Sequence, residues 1–249
     1  MRFVSWLQPR MLKRSTTLAW GLAPELEGWF LAGLSRDTPP FLKLHTTQHL
    51  TVPQDDQGLT ALSQGLRQSI IARGAFQGRR RVNMGLAMDH VVSGVMAMPV
   101  DLRSSDLEAE VQLEAARALG LEPHQVSFDW QAAIRSDGQP HQLHWVACHK
   151  DWVDLFHRCV RQSGWQLASV EPVHQAARRA AACLCGGLSS VLTQPVQDWQ
   201  FDLSMLSDME ASEATWGVSG VFDQALHDAM QTPIGPRLAA VGLALKAWV

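Results

Sequence analysis

The sequence predicts an α+β fold, with antiparallel strands layered against helices, and three observations predict it. Residues 82–171 carry strand and helix signals in the order β-β-α-β-β-α-β. Residues 17–34 hold two short apolar runs joined around Pro24-Glu25, the pattern of two strands and a turn. The chain then closes on an apolar helix opened by Pro236, a favoured residue in a helix's first turn. Strands of this kind bury one face under helices, which is the layered arrangement of α+β proteins.

Each element has its own local cause. The stretch 35–57 is rich in Thr, Pro, Asp and Gln and holds one strand signal near Phe41–His45. Leu59, Leu62, Leu66 and Ile70 recur at helical spacing and make one stripe of a helix ending near Gly74. Val82–Met88 and Val91–Met98 read as strands around an Asp89-His90 turn. Ser105-Asp106-Leu107-Glu108 is a capping box: the Ser105 hydroxyl accepts from the Glu108 amide, and the Glu108 carboxylate reaches back. The helix it opens sets Leu107, Val111, Ala115 and Ala118 on one face, and Gly120 suits a left-handed cap. Val126, Phe128, Trp130 and Ala132 alternate with polar residues, as a half-buried strand requires, and Gly138 turns the chain into a strand at Gln142–Cys148.

Asp151–Ser163 is a second helix, with Trp152, Leu155, Phe156 and Cys159 inward and Gly164 at its end. The strand Gln166–Val170 follows, closed by Glu171-Pro172. A helix then runs to about Cys185, strand signals near Trp199–Leu203 and Ala214–Val218 are weak, and Leu238, Val241, Leu245 and Trp248 form the stripe of the closing helix.

Composition excludes several function classes. With 46% apolar and 18% charged residues, the 249-residue chain is an ordinary globular sequence, long enough to bury a full core. A net charge of −3 gives no electrostatic case for nucleic acid as the main partner. The basic groups Arg2, Arg10, Lys13 and Arg14, and Arg79-Arg80-Arg81, read as solvated faces. The opening segment lacks the long apolar core of a secretory signal, and no run of about 18 apolar residues suits a membrane span. A short basic helix holding Phe3, Trp6 and Leu7 either lies near an anionic membrane or packs on the protein. A soluble, cytoplasmic protein is expected. Cys148, Cys159, Cys183 and Cys185 include no C-x-x-C pair and read as buried free thiols.

Several motifs, in register, resemble one family. Met98-Pro99, Ser105–Glu108, Val111, Glu114-Ala115 and Val126-Ser127-Phe128-Asp129-Trp130 resemble the PilM family of type IV pilus assembly proteins. That pattern is a strand ending in Pro, a Glu-rich helix and a V-x-x-D-F strand. Val146-Ala147-Cys148, Trp152-Val153, Gly164-Trp165 and Val170-Glu171-Pro172 are similar to the strand, helix, turn and strand that follow in the family. Ile234-Gly235-Pro236 with Ala239–Leu245 looks like its closing helix. The resemblance covers about two thirds of the chain. It implies an actin-like (ribonuclease H-like) fold related to the cell-division protein FtsA, with residues 1–81 in a first lobe and 82–171 as an inserted α+β subdomain. Residues 172–249 would then be a reduced second lobe and a closing helix that packs on the first lobe.

The family's nucleotide chemistry does not carry over residue by residue. Its first phosphate hairpin reads roughly G-x-D-x-G-S, where this chain has Ala19-Trp20-Gly21-Leu22-Ala23-Pro24. Gly21 stands for the Asp, Ala23 for the Gly, and Pro24 offers phosphate no amide proton. Only 60 residues (233 − 172 − 1) separate Pro172 from Pro233, too few for the usual second lobe. ATP binding is therefore expected to be lost, leaving no cofactor and no enzyme activity.

The function the resemblance implies is a cytoplasmic adaptor. It would bind the cytoplasmic N-terminal peptide of a PilN-like inner-membrane protein and link it to the pilus platform. The alternatives are a residual actin-like ATPase, or a platform component of a type II secretion or mannose-sensitive pilus system. Met98, Pro99, Leu107 and Val111, where strand meets helix, are the candidate residues of the peptide groove. His141, His144, Cys148, His149 and His157 are the densest set of potential ligands. Strand alternation puts His144 and Cys148 on one face and His149 on the other, so no metal site is expected. Asp101, Asp106, Glu108, Glu110 and Glu114 crowd a helix start, where the dipole favours acids without any catalytic role.

Overall fold

Strands β1 (Leu18–Glu25) and β2 (Gly28–Arg36) pair antiparallel around a turn at Leu26-Glu27, two residues beyond the expected Pro24-Glu25. The computed structural model describes residues 18–36, 39–51, 56–69, 80–97, 104–134, 140–205 and 220–248. Strand β3 (Phe41–Leu50) continues the meander, twice as long as its sequence signal. Helix α1 (Asp56–Gln68) crosses to β4 (Arg81–Leu86), which pairs parallel with β1. Strand β8 (Gln166–Pro172) pairs parallel with β4, and the short β9 (Gln200–Asp202) borders β3. Six strands thus run in the order β8-β4-β1-β2-β3-β9.

Each face of this sheet carries its own core, because alternate side chains point to opposite sides. On one face Trp20, Leu22, Trp29, Leu31, Val82 and Met84 meet Leu59, Leu62 and Leu66 of α1 and Phe156, Cys159 and Val160 of α3 (Lys150–Gln162). Trp20 meets Trp165 edge-on at 5.7 Å, and Trp29 meets Phe156 at 5.8 Å. Arg80 lies over the Trp165 ring, so one of the basic residues does more than face solvent. On the other face Ala23, Phe30, Ala32, Leu34 and Leu42 meet α4 (Val173–Cys183) and α7 (Gly235–Leu245).

The closing helix is buried on all sides rather than along one stripe. Its small residues allow this. A Cβ on Gly242 would lie 1.7 Å from the Ala176 carbonyl oxygen of α4, and one on Gly21 would lie 2.0 Å from the Ala240 carbonyl oxygen of α7. Two polar residues pair behind α7: the Asn83 amide donates to the Leu243 carbonyl at 2.9 Å, and Ser169 donates to Asn83 Oδ1 at 2.7 Å. Glu171 is fully buried between β8, α4 and α7. Arg179 reaches it with two bonds, at 2.6 and 3.1 Å, and Lys246 with one at 2.8 Å. Burial alone would push this carboxyl's pKa up, but Arg179 and then Lys246 hold it down to about 2.

Between β4 and α3 lies a second, three-stranded sheet ordered β5-β7-β6, from β5 (Val91–Ala97), β6 (Val126–Ile134) and β7 (Pro140–His149). Helix α2 (Ser104–Leu119) covers one of its faces, burying Leu107, Val111, Ala115 and Ala116 against Leu143, Trp145 and Ala147. Gly120 ends α2 at φ +66°, and the Leu121 amide donates back to the Ala116 carbonyl, the left-handed cap expected from sequence.

Two expectations change. The element order over 82–171 is as read, but β4, α3 and β8 belong to the large sheet and its core. The inserted unit is therefore narrower than 82–171, namely β5, α2, β6 and β7. Local patterning identified the elements but not their partners. Secondly, the described residues after 172 form no separate lobe: α4, α5 (Gly187–Thr193), β9, α6 (Gly220–Met230) and α7 cap or extend the large sheet. The strand signal at 214–218, the Gly138 turn and Ile70 lie outside the described residues.

Candidate functional site

The uncovered face of the small sheet is where the two units meet. Antiparallel register lines up Ser93, Val146 and Asp129 on one rung, and Val95, His144 and Gln131 on the next. One step further, Cys148 sinks into the core shared with α3. The near end of this face is thus packed against the body, while the far end stands away from it. The opposite wall is the first turn of α4, with His174 and Gln175. Between the walls is a cleft of about 290 Å³.

Mixed chemistry lines the cleft. Val95, 56% exposed, and Met88, 50% exposed, put apolar surface beside it. Met88 Sδ lies 2.8 Å from His174 Nδ1. Burial, and then the nearby charge of Arg178, lowers the pKa of His174, so its ring stays neutral at physiological pH. No Lys or Arg is among the lining residues. The side-chain oxygens of Gln131 and Gln175 are both buried without a hydrogen-bond partner, and Gln175 as a whole is only 7% exposed. Buried acceptors are nearly always paired, so two orphans in one cleft mark a place where a donor is missing.

A second cavity, of about 600 Å³, lies between α1 and α3, where Leu59, Trp152, Leu155 and Arg158 surround it. His149 accepts from the Asp151 amide there and caps α3.

The residues singled out from sequence fall differently. Leu107, 3% exposed, and Val111, fully buried, are core residues on the inner side of α2, on the side of the small sheet away from the cleft, and present no free surface. Met98 and Pro99 lie outside the described residues. His144 faces the cleft, Cys148 is buried below the same face and His149 is engaged as a cap, so the ligand-rich run is spread over three environments. Asp129 and Gln131 were visible only as the polar half of an alternating strand. No local signal in the sequence points to α4 as the facing wall.

The β1–β2 hairpin, where the family would hold phosphate, is closed from behind. Gly21 is pressed against the backbone of α7, and Ala23 is fully buried. Among the described residues no helix is long and apolar enough to cross a membrane, and no group of His, Cys, Asp or Glu is placed to hold a metal ion.

A family model described as "Type IV pilus assembly protein PilM" matches residues 48–197, a span that holds both walls of the cleft. A solved structure of a PilM-PilN type IV pilus biogenesis complex is similar, with a TM-score of 0.53 at 16% identity over 89% of this chain and 74% of that one. The likeness is one of fold, and that fold is the actin-like one. The cytoplasmic domain of EpsL, an inner membrane component of the type II secretion system of Vibrio cholerae, gives a TM-score of 0.44 at 14% identity, over 81% of this chain and 77% of that one. No curated protein matches the chain.

Proposed function

Because the chain belongs to the type IV pilus assembly protein PilM family, we propose that it acts as an adaptor at the cytoplasmic face of the inner membrane. In this reading its cleft takes up an extended segment from the cytoplasmic N-terminus of a PilN-like membrane protein. The observation that carries the reading is the cleft itself: two rungs of the small sheet facing the first turn of α4, with exposed Val95 and Met88 at the rim. The solved relative is a complex with PilN, which supports the same class of partner. Part of an extended peptide of about ten residues fits such a site, since main-chain bonds supply affinity and alternate side chains supply selectivity. A cleft this small admits few side chains, so micromolar affinity is expected, raised in the cell by confinement to the membrane.

The same reading excludes nucleotide and enzyme activity. The packing of α7 onto Gly21 supports it, because the acidic side chain that would place a metal ion at that position has no room. Pro24, in the same strand, has no amide proton for phosphate.

The test is fluorescence anisotropy with a labelled peptide from the cytoplasmic start of a PilN-like protein of the same organism. The wild type should bind and Val95→Glu should not, since a half-exposed position tolerates the change in fold but not in the cleft. No binding by the wild type would overturn the adaptor reading. Equal binding by a folded Val95→Glu protein would move the site elsewhere.

A further inference from the structure

We propose that Gln131 and Gln175 form a two-sided clamp for the main chain of the bound segment, each accepting a hydrogen bond from one of its backbone N–H groups. The inference rests on the adaptor reading and adds to it the residues that hold the ligand and the part of the ligand they read.

The two oxygens are unpaired and buried, and they belong to opposite walls: Gln131 on β6 of the small sheet, Gln175 in the first turn of α4. Side-chain amide oxygens act only as acceptors, so what is missing is a pair of donors approaching from between the walls. An extended chain supplies them in that arrangement. Its successive N–H groups point to opposite sides, so consecutive residues present one donor to each wall. Main-chain N–H groups are uncharged, and an amide oxygen needs no charged donor; the lining holds one acid, Asp129, no Lys or Arg, and a neutral His174. Val95 and Met88 beside the cleft add apolar contact for side chains of the segment.

The experiment uses the whole protein and the labelled PilN-like peptide, together with a series of that peptide carrying a single backbone N-methyl group at each position. N-methylation removes one donor and leaves the side chains intact. Two neighbouring positions should each weaken binding to the wild type about tenfold, the size expected when a buried acceptor loses its donor. Gln131→Met and Gln175→Met, close in volume to glutamine, should weaken the unmodified peptide similarly. Each should also abolish the further effect of one of the two N-methyl groups. Thermal melts check the fold, and if Gln175→Met is unstable the more accessible Gln131→Met carries the same test for its wall. N-methyl penalties that stay unchanged in both variants overturn the clamp while leaving the adaptor reading in place. Coupling of either glutamine to a peptide side chain instead of a backbone position also overturns it. Failure of the unmodified peptide to bind the wild type removes both.

Discussion

Replacing Glu171 by Gln keeps the shape of the side chain and removes its charge. Arg179 and Lys246 are then left around a neutral group, with Arg179 still donating to the Gly242 carbonyl at 2.9 Å. Breaking a buried pair in this way typically costs about 3–5 kcal/mol, because the remaining charge is uncompensated. The carboxyl itself gives an independent figure: its descent from an ordinary 4.5 to about 2 corresponds to about 3 kcal/mol of folding stability. Urea unfolding followed by the fluorescence of the buried tryptophans, Trp165 and Trp199 among them, measures the difference directly. Because the folded-state pKa lies below the unfolded one, the contribution is complete above pH 4.5 and is lost as the pH falls towards 2. The gap between wild type and Glu171→Gln should therefore be full at pH 6 and shrink steadily through that window. A loss below about 1 kcal/mol at pH 6, the size of a surface ion pair, would refute the reasoning. So would a gap that does not narrow on acidification.

Other perturbations follow from the same packing. Gly21→Asp restores the residue type the family uses in its phosphate hairpin, but the Cβ would lie 2.0 Å from the α7 backbone. We expect at least about 3 kcal/mol of destabilisation, seen as a melting temperature lower by roughly 10 °C; an unchanged melt would mean that α7 does not close this position. Val111→Ala should lower stability by about 2 kcal/mol while leaving peptide affinity unchanged, because its side chain lies on the covered side of the small sheet. Loss of binding by a folded Val111→Ala protein would contradict that placement. Calorimetry with Mg-ATP should detect no binding, and a dissociation constant in the low micromolar range, roughly −8 kcal/mol, would overturn the reading of the hairpin. Towards a thiol reagent at pH 8 in the native protein, Cys185 should react first. Cys148 and Cys159, both buried with their pKa pushed up to about 12, should stay silent, and early modification of either would contradict the core.

Much of the fold was legible because its elements are set by local rules. Period-two alternation over Val126–Ala132 and the helical stripe of Leu59, Leu62 and Leu66 survive in the structure, and so do the glycine caps at Gly120 and Gly164. What the sequence could not reveal is which strands share a sheet. Val82, Met84 and Leu86 look like any buried strand, yet they sit between β1 and β8, and the sheet next in sequence is a different one. The site was the least legible part, for a related reason. Leu107 and Val111 are apolar and well placed on a helix, which describes a core position as well as it describes a groove. The residues that do face the cleft, such as Gln131 and Gln175, are ordinary polar residues in sequence. They acquire meaning only when β6 and α4, about forty residues apart in the chain, bring their amide oxygens to opposite walls without partners.

In the proposed function one cleft, between the inserted sheet and α4, receives the partner's segment. Amide chemical-shift mapping of the labelled protein, titrated with the unlabelled PilN-like peptide, tests it most directly. The account predicts the largest shifts at Ser93, Val95, Asp129, Gln131, His144, His174 and Gln175, with the α1–α3 cavity around Leu59 and Arg158 unaffected. Saturable binding that instead shifts the α1–α3 surface and leaves β5, β6 and the start of α4 unchanged would contradict it.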